Sequence, residues 1–120
     1  PALQRVAEEV SVDERLRDYI VDLGRATRED HRVDVGVSPR GIQRLFEAAR
    51  AVAVLQSRDF VVPDDIKWVV EPVFSHRLVL TADAGVRGVD RSAIVSDVLD
   101  SVAVPGSDGE GRVDSVETQC

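Results

Sequence analysis

At 120 residues the chain is long enough for one domain with a modest core, and its 43% apolar content is that of a globular protein. Only 4% of it is aromatic, so the core has to be built from Val, Leu, Ile and Ala. A net charge of −7 repels nucleic acid and anionic membrane, and the single cysteine, Cys120, excludes an internal disulfide or a thiolate zinc cluster.

A start at Pro1 rather than Met is expected of a piece cut from a longer chain. Residues 2–9, ALQRVAEE, bring Leu3, Val6 and Val10 to helical spacing and predict a short first helix. SVDERLRDYIVDLGRATRE follows more clearly: Ser11 and Glu14 form a capping-box pattern, and Leu16, Tyr19, Ile20, Leu23 and Ala26 make one apolar face. Gly24 weakens this helix by about 1 kcal/mol relative to Ala without ending it. DHRVDVG is a polar connection of extended character, with a turn offered at Gly36.

The strongest helix is PRGIQRLFEAARAVAVLQS, capped by Ser38 and opened by Pro39. Ile42, Leu45, Phe46, Ala49, Val52 and Ala53 keep a 3.6-residue period, and the small residues Ala48, Ala49, Ala51 and Ala53 let a neighbouring helix come close. A further helix restarts at Pro63, with Asp64 and Asp65 complementing its dipole and Ile66, Val69, Val70, Val73 and Phe74 facing inward. Pro72 predicts a break or kink, then a short helix through His76. TADAGVRGVD reads as a loop, Asp90 as the cap of a last helix with Ile94, Val98, Leu99 and Val102 inward, and 106–120 as a disordered polar tail. Extended pairing is expected near Val61 or Leu78–Leu80. The sum is an all-α, compact bundle of about five helices.

Few residues suggest chemistry. His31 reads as a solvent residue and His76 as a buried or half-buried packing residue, and neither has a second ligand at metal-binding spacing. Glu8–Glu9 fits a solvated face, Asp64–Asp65 a helix start, and Trp68 the edge of the bundle. There is no G-x-S-x-G elbow, no G-x-x-x-x-G-K-[ST] loop and no apolar strand ending in acids for Mg²⁺. The chain alone therefore has no means of hydrolysing a nucleotide, and no catalytic or metal-ligating residue is expected in it. Lys67 is the only lysine and Asp outnumbers Glu, a bias similar to proteins of high-salt cytoplasm. No run of about 18 apolar residues or leader pattern occurs, so a cytoplasmic location is expected.

Arg40 stands out because a cation in a first turn, where the macrodipole is positive, costs about 0.3–1 kcal/mol. It could fold back onto Asp34, Glu47 or another carboxylate. It could equally join the free first-turn amides, with Gly41 leaving room, in holding one phosphate. Motif chemistry alone does not choose.

VSPRGIQRLFEAARAVAVLQSRDFVVPDDIKWVVEPVFSHRLVL resembles the C-terminal lid of MoxR-type AAA+ ATPases. That family reads G-A-S-P-R, then A-A-R-A-x-A, then R-D-[YF]-V-x-P-D-D-[VI], and ends a short helix in H-R. DYIVDLGRATRE is similar to the family's Y-I-V-x-L-x-R-x-T-R, and AIVSDVLDSVAVP to its closing helix. The resemblance covers roughly residues 3–105, which makes 1–105 a lid domain and 106–120 a tail. Val37 stands where the family usually has Ala.

The resemblance implies that Arg40 is a sensor-2 arginine aimed at nucleotide phosphates, with Ser38, Gly41 and Arg77 as secondary candidates; Arg28 and Arg77 would face the core, a neighbouring subunit or a salt-bridge partner. It implies an ATP-hydrolysing parent in which ATP and Mg²⁺ are held by an upstream core, with none bound by the fragment alone. It also implies a ring, commonly hexameric, a chaperone-like remodelling role, and partners with von Willebrand factor A domains. The competing reading is a helical protein-interaction module with no nucleotide role. Binding to DNA through SPRGIQRL is disfavoured by the net charge and the lone lysine.

Overall fold

The computed structural model describes residues 10–105; the helix expected over 2–9, the tail 106–120 and the outer ends of both expected domains lie outside them. Among the described residues five α-helices run in order: α1 (Glu14–Glu29), α2 (Pro39–Leu55), α3 (Pro63–Phe74), α4 (Ala82–Val86) and α5 (Arg91–Ser101). A small antiparallel ribbon pairs β1 (Val33–Val35) with β2 (Val79–Leu80), Val33 standing opposite Leu80. The architecture is the all-α bundle that the helical stripes require, and the extended character of both ribbon segments is where it was expected.

On α1 the buried face is Leu16, Tyr19, Ile20 and Leu23, extended by Gly24 and Thr27. The cap is not Ser11 but Asp13, whose carboxylate accepts from the Arg15 amide at 2.8 Å. Ser11 is committed elsewhere: its amide donates to the Asp59 carbonyl and its carbonyl accepts from the Val61 amide, both at 3.0 Å, forming a parallel bridge with Phe60. A long-range pairing has taken the residue that local capping would have used. Gly24 has a packing reason, since a Cβ there would lie 2.7 Å from Ile42 Cδ1 on α2.

The main helix pair is α2 with α3. Leu45, Ala49 and Ala53 on one side and Ile66, Val70 and Phe74 on the other are almost wholly buried, and the small α2 residues permit the close approach. Pro72 does not break α3, which continues to Phe74 before a 3₁₀ turn, Ser75–Arg77. Pro72 is exposed while Val70 and Phe74 are buried, so the lost hydrogen bond falls on the solvent side and packing carries the helix past it. His76 is exposed rather than packed, and Trp68 is 78% exposed rather than seated against the bundle.

The stretch expected as a loop contains α4, capped by Thr81 Oγ1 accepting from the Ala84 amide at 3.1 Å, with Ala84 buried beneath. Asp90 caps α5 as expected, accepting from the Ser92 amide at 3.0 Å. The buried residues of α5 are Ile94, Val95 and Val98, while Leu99 and Val102 are half-buried. Val95 joins the core because α5 is wedged between α1 and α3. None of the described helices is long and apolar enough to cross a membrane.

Candidate functional site

The site is the start of α2. Ser38 is extended and its hydroxyl accepts from the Gly41 amide at 3.3 Å, while Pro39 occupies the first helical position, as the S-P-R-G order demands. No acid lies in this first turn. Arg40 is exposed there, and among the described residues it engages neither carboxylate nor carbonyl nor ring. Glu47, one of the carboxylates it could have folded back onto, is taken by Arg44 at 2.9 Å.

The other described arginines all have a partner within the fold, although the buried Nε of Arg50 finds no acceptor and that residue has only a ring contact. Arg15, Arg25, Arg32, Arg44, Arg58 and Arg87 pair with carboxylates. Arg17, Arg28, Arg77 and Arg91 donate to carbonyls, and Arg50 lies over the Phe46 ring. Arg15 and Arg91 also stand in first turns, but each has a partner there, Asp13 and the Leu78 carbonyl; only Arg40 is left without an internal partner among the described residues, in a turn whose dipole repels it.

Gly41 and Arg77 are brought to the same place from distant parts of the chain. Gly41 is buried, and a Cβ on it would lie 2.6 Å from Val37 Cγ1 and 3.0 Å from Arg77 Cδ. The Arg77 stem thus crosses the helix start, and its Nη1 donates to the Val73 carbonyl at 2.7 Å and lies 3.2 Å from His76 Nε2. Ser38, Arg40, Gly41 and Arg77 therefore form one locality. Arg28 makes no salt bridge there; its Nη1 donates to the Val37 carbonyl at 2.8 Å.

Thr27 escaped the sequence reading. Its buried hydroxyl accepts from the Val37 amide at 3.0 Å and donates to the Gly24 carbonyl at 2.6 Å. The available signal was its place in RATR, directly beside Arg28.

The loop entering the site is fixed at its far end by Arg32, which forks onto Asp30 at 2.7 and 2.9 Å and reaches Asp97 on α5 at 3.0 Å. The Arg32 hydrogen bonds hold the Asp30 carboxyl down at about 2, against the smaller opposing effect of burial. Among the described residues no group of three or more His, Cys, Asp or Glu is gathered to hold a metal. The arrangement can offer a guanidinium and a helix start to an anion; it brings together no nucleophile and base.

A bundle of this order, with an S-P-R-G helix start facing outward, is the form of a helical lid from an AAA+ protein. The AAA lid domain family matches residues 25–98, more than half of the chain, and the chain belongs to that family. Its relatives place it among MoxR-type lids. It is 40% identical over 103 residues to YeaC, an uncharacterized protein of Bacillus subtilis, covering 86% of this chain and 32% of that one. It is 35% identical over 112 residues to the chaperone MoxR1 of Mycobacterium tuberculosis, covering 86% and 30% respectively. A crystal structure of a candidate ATPase from Cytophaga hutchinsonii superposes with a TM-score of 0.79 at 29% identity, over 83% of this chain and 33% of the other. The chain spans about a third of the length of the relatives it matches.

Proposed function

We propose that this domain is the nucleotide-sensing lid of an ATP-hydrolysing MoxR-type AAA+ protein, and that Arg40 is the group that contacts phosphate. The observation that supports this most is the isolation of Arg40 among otherwise engaged arginines, at a helix start with no acid in its first turn. A phosphate there meets a guanidinium and first-turn amides together, and a charge-assisted contact of this kind contributes about 1.5–3 kcal/mol. Ser38 and Gly41 shape the turn, and Arg77 adds a second cation beside it.

ATP and Mg²⁺ belong in this reading to an upstream core. The helix start suits the phosphate, but with no first-turn carboxylate it supplies nothing for Mg²⁺. The lid closes on the core when Arg40 has phosphate to bind and relaxes when that contact is lost, and in a ring of subunits this motion is passed on. A cytoplasmic ring, commonly a hexamer, with chaperone-like remodelling and von Willebrand factor A-domain partners completes the proposal.

The test is Arg40→Ala in a chain carrying the domain with its ATPase core. ATP turnover or nucleotide-dependent assembly falls, while the melting temperature of the lid does not. Unchanged ATPase kinetics would remove the sensor role. A second reading, a docking module with no nucleotide role, draws on Leu55 and Trp68, which are 73% and 78% exposed and line one groove with Val52 and Val62. Self-association of the isolated chain that disappears when the core is added back favours the lid reading over that one.

A further inference from the structure

Two consecutive side chains at the last turn of α1 hold both backbone polar groups of a single residue, Val37. Thr27 takes its amide at 3.0 Å and Arg28 its carbonyl at 2.8 Å. These groups belong to successive peptide planes on either side of the Val37 Cα, so the pair fixes φ and ψ there together. The Thr27 hydroxyl is itself held, donating to Gly24 at 2.6 Å inside α1.

The neighbours leave little freedom. Gly36 lies flat on the Arg28 backbone, where a Cβ would come within 2.7 Å of the Arg28 Cα and N. The Val37 side chain is fully buried under Gly41. Between Val37 and Arg40 stand only Ser38, tied by its cap bond, and Pro39, whose ring locks φ. The backbone position of Arg40 is thus set from the end of α1 through a segment with few soft torsions.

We propose that Thr27 and Arg28 are positioning residues for Arg40, acting through Val37; the proposal rests on the nucleotide-sensing reading of Arg40. Arg28 contributes by its grip on a carbonyl and not as a contact to a core or a neighbouring subunit. Movement at the end of α1 and movement of the Arg40 backbone, from which the guanidinium reaches out, are then one motion.

The experiment is a mutant cycle in a chain carrying this domain with its ATPase core, read by ATP kcat/KM and, separately, by melting temperature. Thr27→Val removes the hydroxyl at constant volume, and Arg28→Met keeps the stem but removes the donors. Thr27→Val is expected to lower kcat/KM about fivefold, the worth of one neutral hydrogen bond, and Thr27→Ser to retain it; Arg28→Met, which removes a charge-assisted bond, is expected to lower it about tenfold. In an Arg40→Ala background neither has a further kinetic effect, while the loss of melting temperature caused by Thr27→Val persists. Kinetic losses that add to that of Arg40→Ala overturn the proposal. So do unchanged kinetics in both variants when Arg40→Ala is impaired, an outcome that leaves the sensing reading standing. If Arg40→Ala has no kinetic effect, the sensing reading and this proposal fall together. Should Thr27→Val not fold, Arg28→Met, at an exposed residue, decides alone.

Discussion

The starts of α2 and α3 share a plan: in each an extended residue, Ser38 or Val62, precedes a proline at the first helical position. α3 then follows with Asp64 and Asp65, and Asp65 turns inward to 2% exposure. Its two oxygens take the Arg58 fork at 2.7 Å each, and one also accepts from the Val62 amide at 2.9 Å. Burial pushes its carboxyl up, but the Arg58 and Val62 hydrogen bonds together outweigh it and hold the group below the usual range. α2 has no acid in its first turn and presents Arg40 instead. One helix start is electrically complete inside the domain; the other needs an anion from outside. Similar local geometry thus serves stability in one place and leaves a binding capacity in the other.

The largest effect should come from breaking the complete start. Asp65→Ala takes the carboxylate from a half-buried Arg58, which keeps the Phe60 carbonyl at 3.1 Å, and removes the acceptor of the Val62 amide, a loss of about 2–3 kcal/mol, or about 10 °C or more in melting temperature for a domain of this size. A fall of only a degree or two would mean that the α3 start is held by packing alone. Gly36→Ala comes next, because its Cβ would meet Arg28 backbone atoms that cannot swing aside; about 2 kcal/mol is expected from chemical denaturation. Gly24→Ala should cost less, since there a Cβ would meet Ile42 Cδ1 at 2.7 Å and Cγ1 at 2.9 Å, side-chain atoms that can give way more than backbone does.

These residues also mark how far the sequence could be read. The S-P-R-G cap and the stripes of α1, α2 and α3 were legible because they depend on neighbours three or four positions apart. Ser11 has a local capping pattern but pairs with Asp59 and Val61, some fifty residues away, which no neighbouring position reveals. α4 was hidden by Gly85 and Gly88, although Thr81 carried a cap signal. Thr27 looked like one more position on an amphipathic helix, and its hydroxyl acquires meaning only when Val37 is folded against it. Asp65 suits the helix dipole by its position, and nothing local shows that it is buried on Arg58. The exposure of Arg40 follows the same rule in reverse: sequence could place it in the first turn but could not say that no carboxylate among the described residues would reach it.

Acid should separate the internally paired carboxylates from the rest. Asp30 falls from an ordinary 3.8 to about 2 in the folded domain, so its contribution is fully present above the unfolded value and is lost as pH drops through 3.8 towards 2. Asp65 acts in the same direction. Melts between pH 7 and pH 2 should show stability declining through that window. Asp30→Asn should cost about 1–2 kcal/mol at pH 7 and flatten the decline, as its pair with Arg32 is only partly screened. An Asn variant with the same acid slope as the parent would show that Arg32 does not depend on this carboxylate.

The smallest effect on the domain is the most informative, because its sign differs from that of every change above. Arg40→Glu replaces the disfavoured cation with an acid in a first turn that has none, which should raise the stability of this chain by about 0.3–1 kcal/mol, measured by melting at low salt. The gain should shrink as salt is added. In a chain with its ATPase core the same substitution sets a carboxylate against phosphate, and nucleotide response should fall further than in Arg40→Ala. A more stable lid that senses less is what an incomplete helix start predicts. A less stable lid would mean that Arg40 already has a partner within the fold, and the contrast between α2 and α3 would disappear.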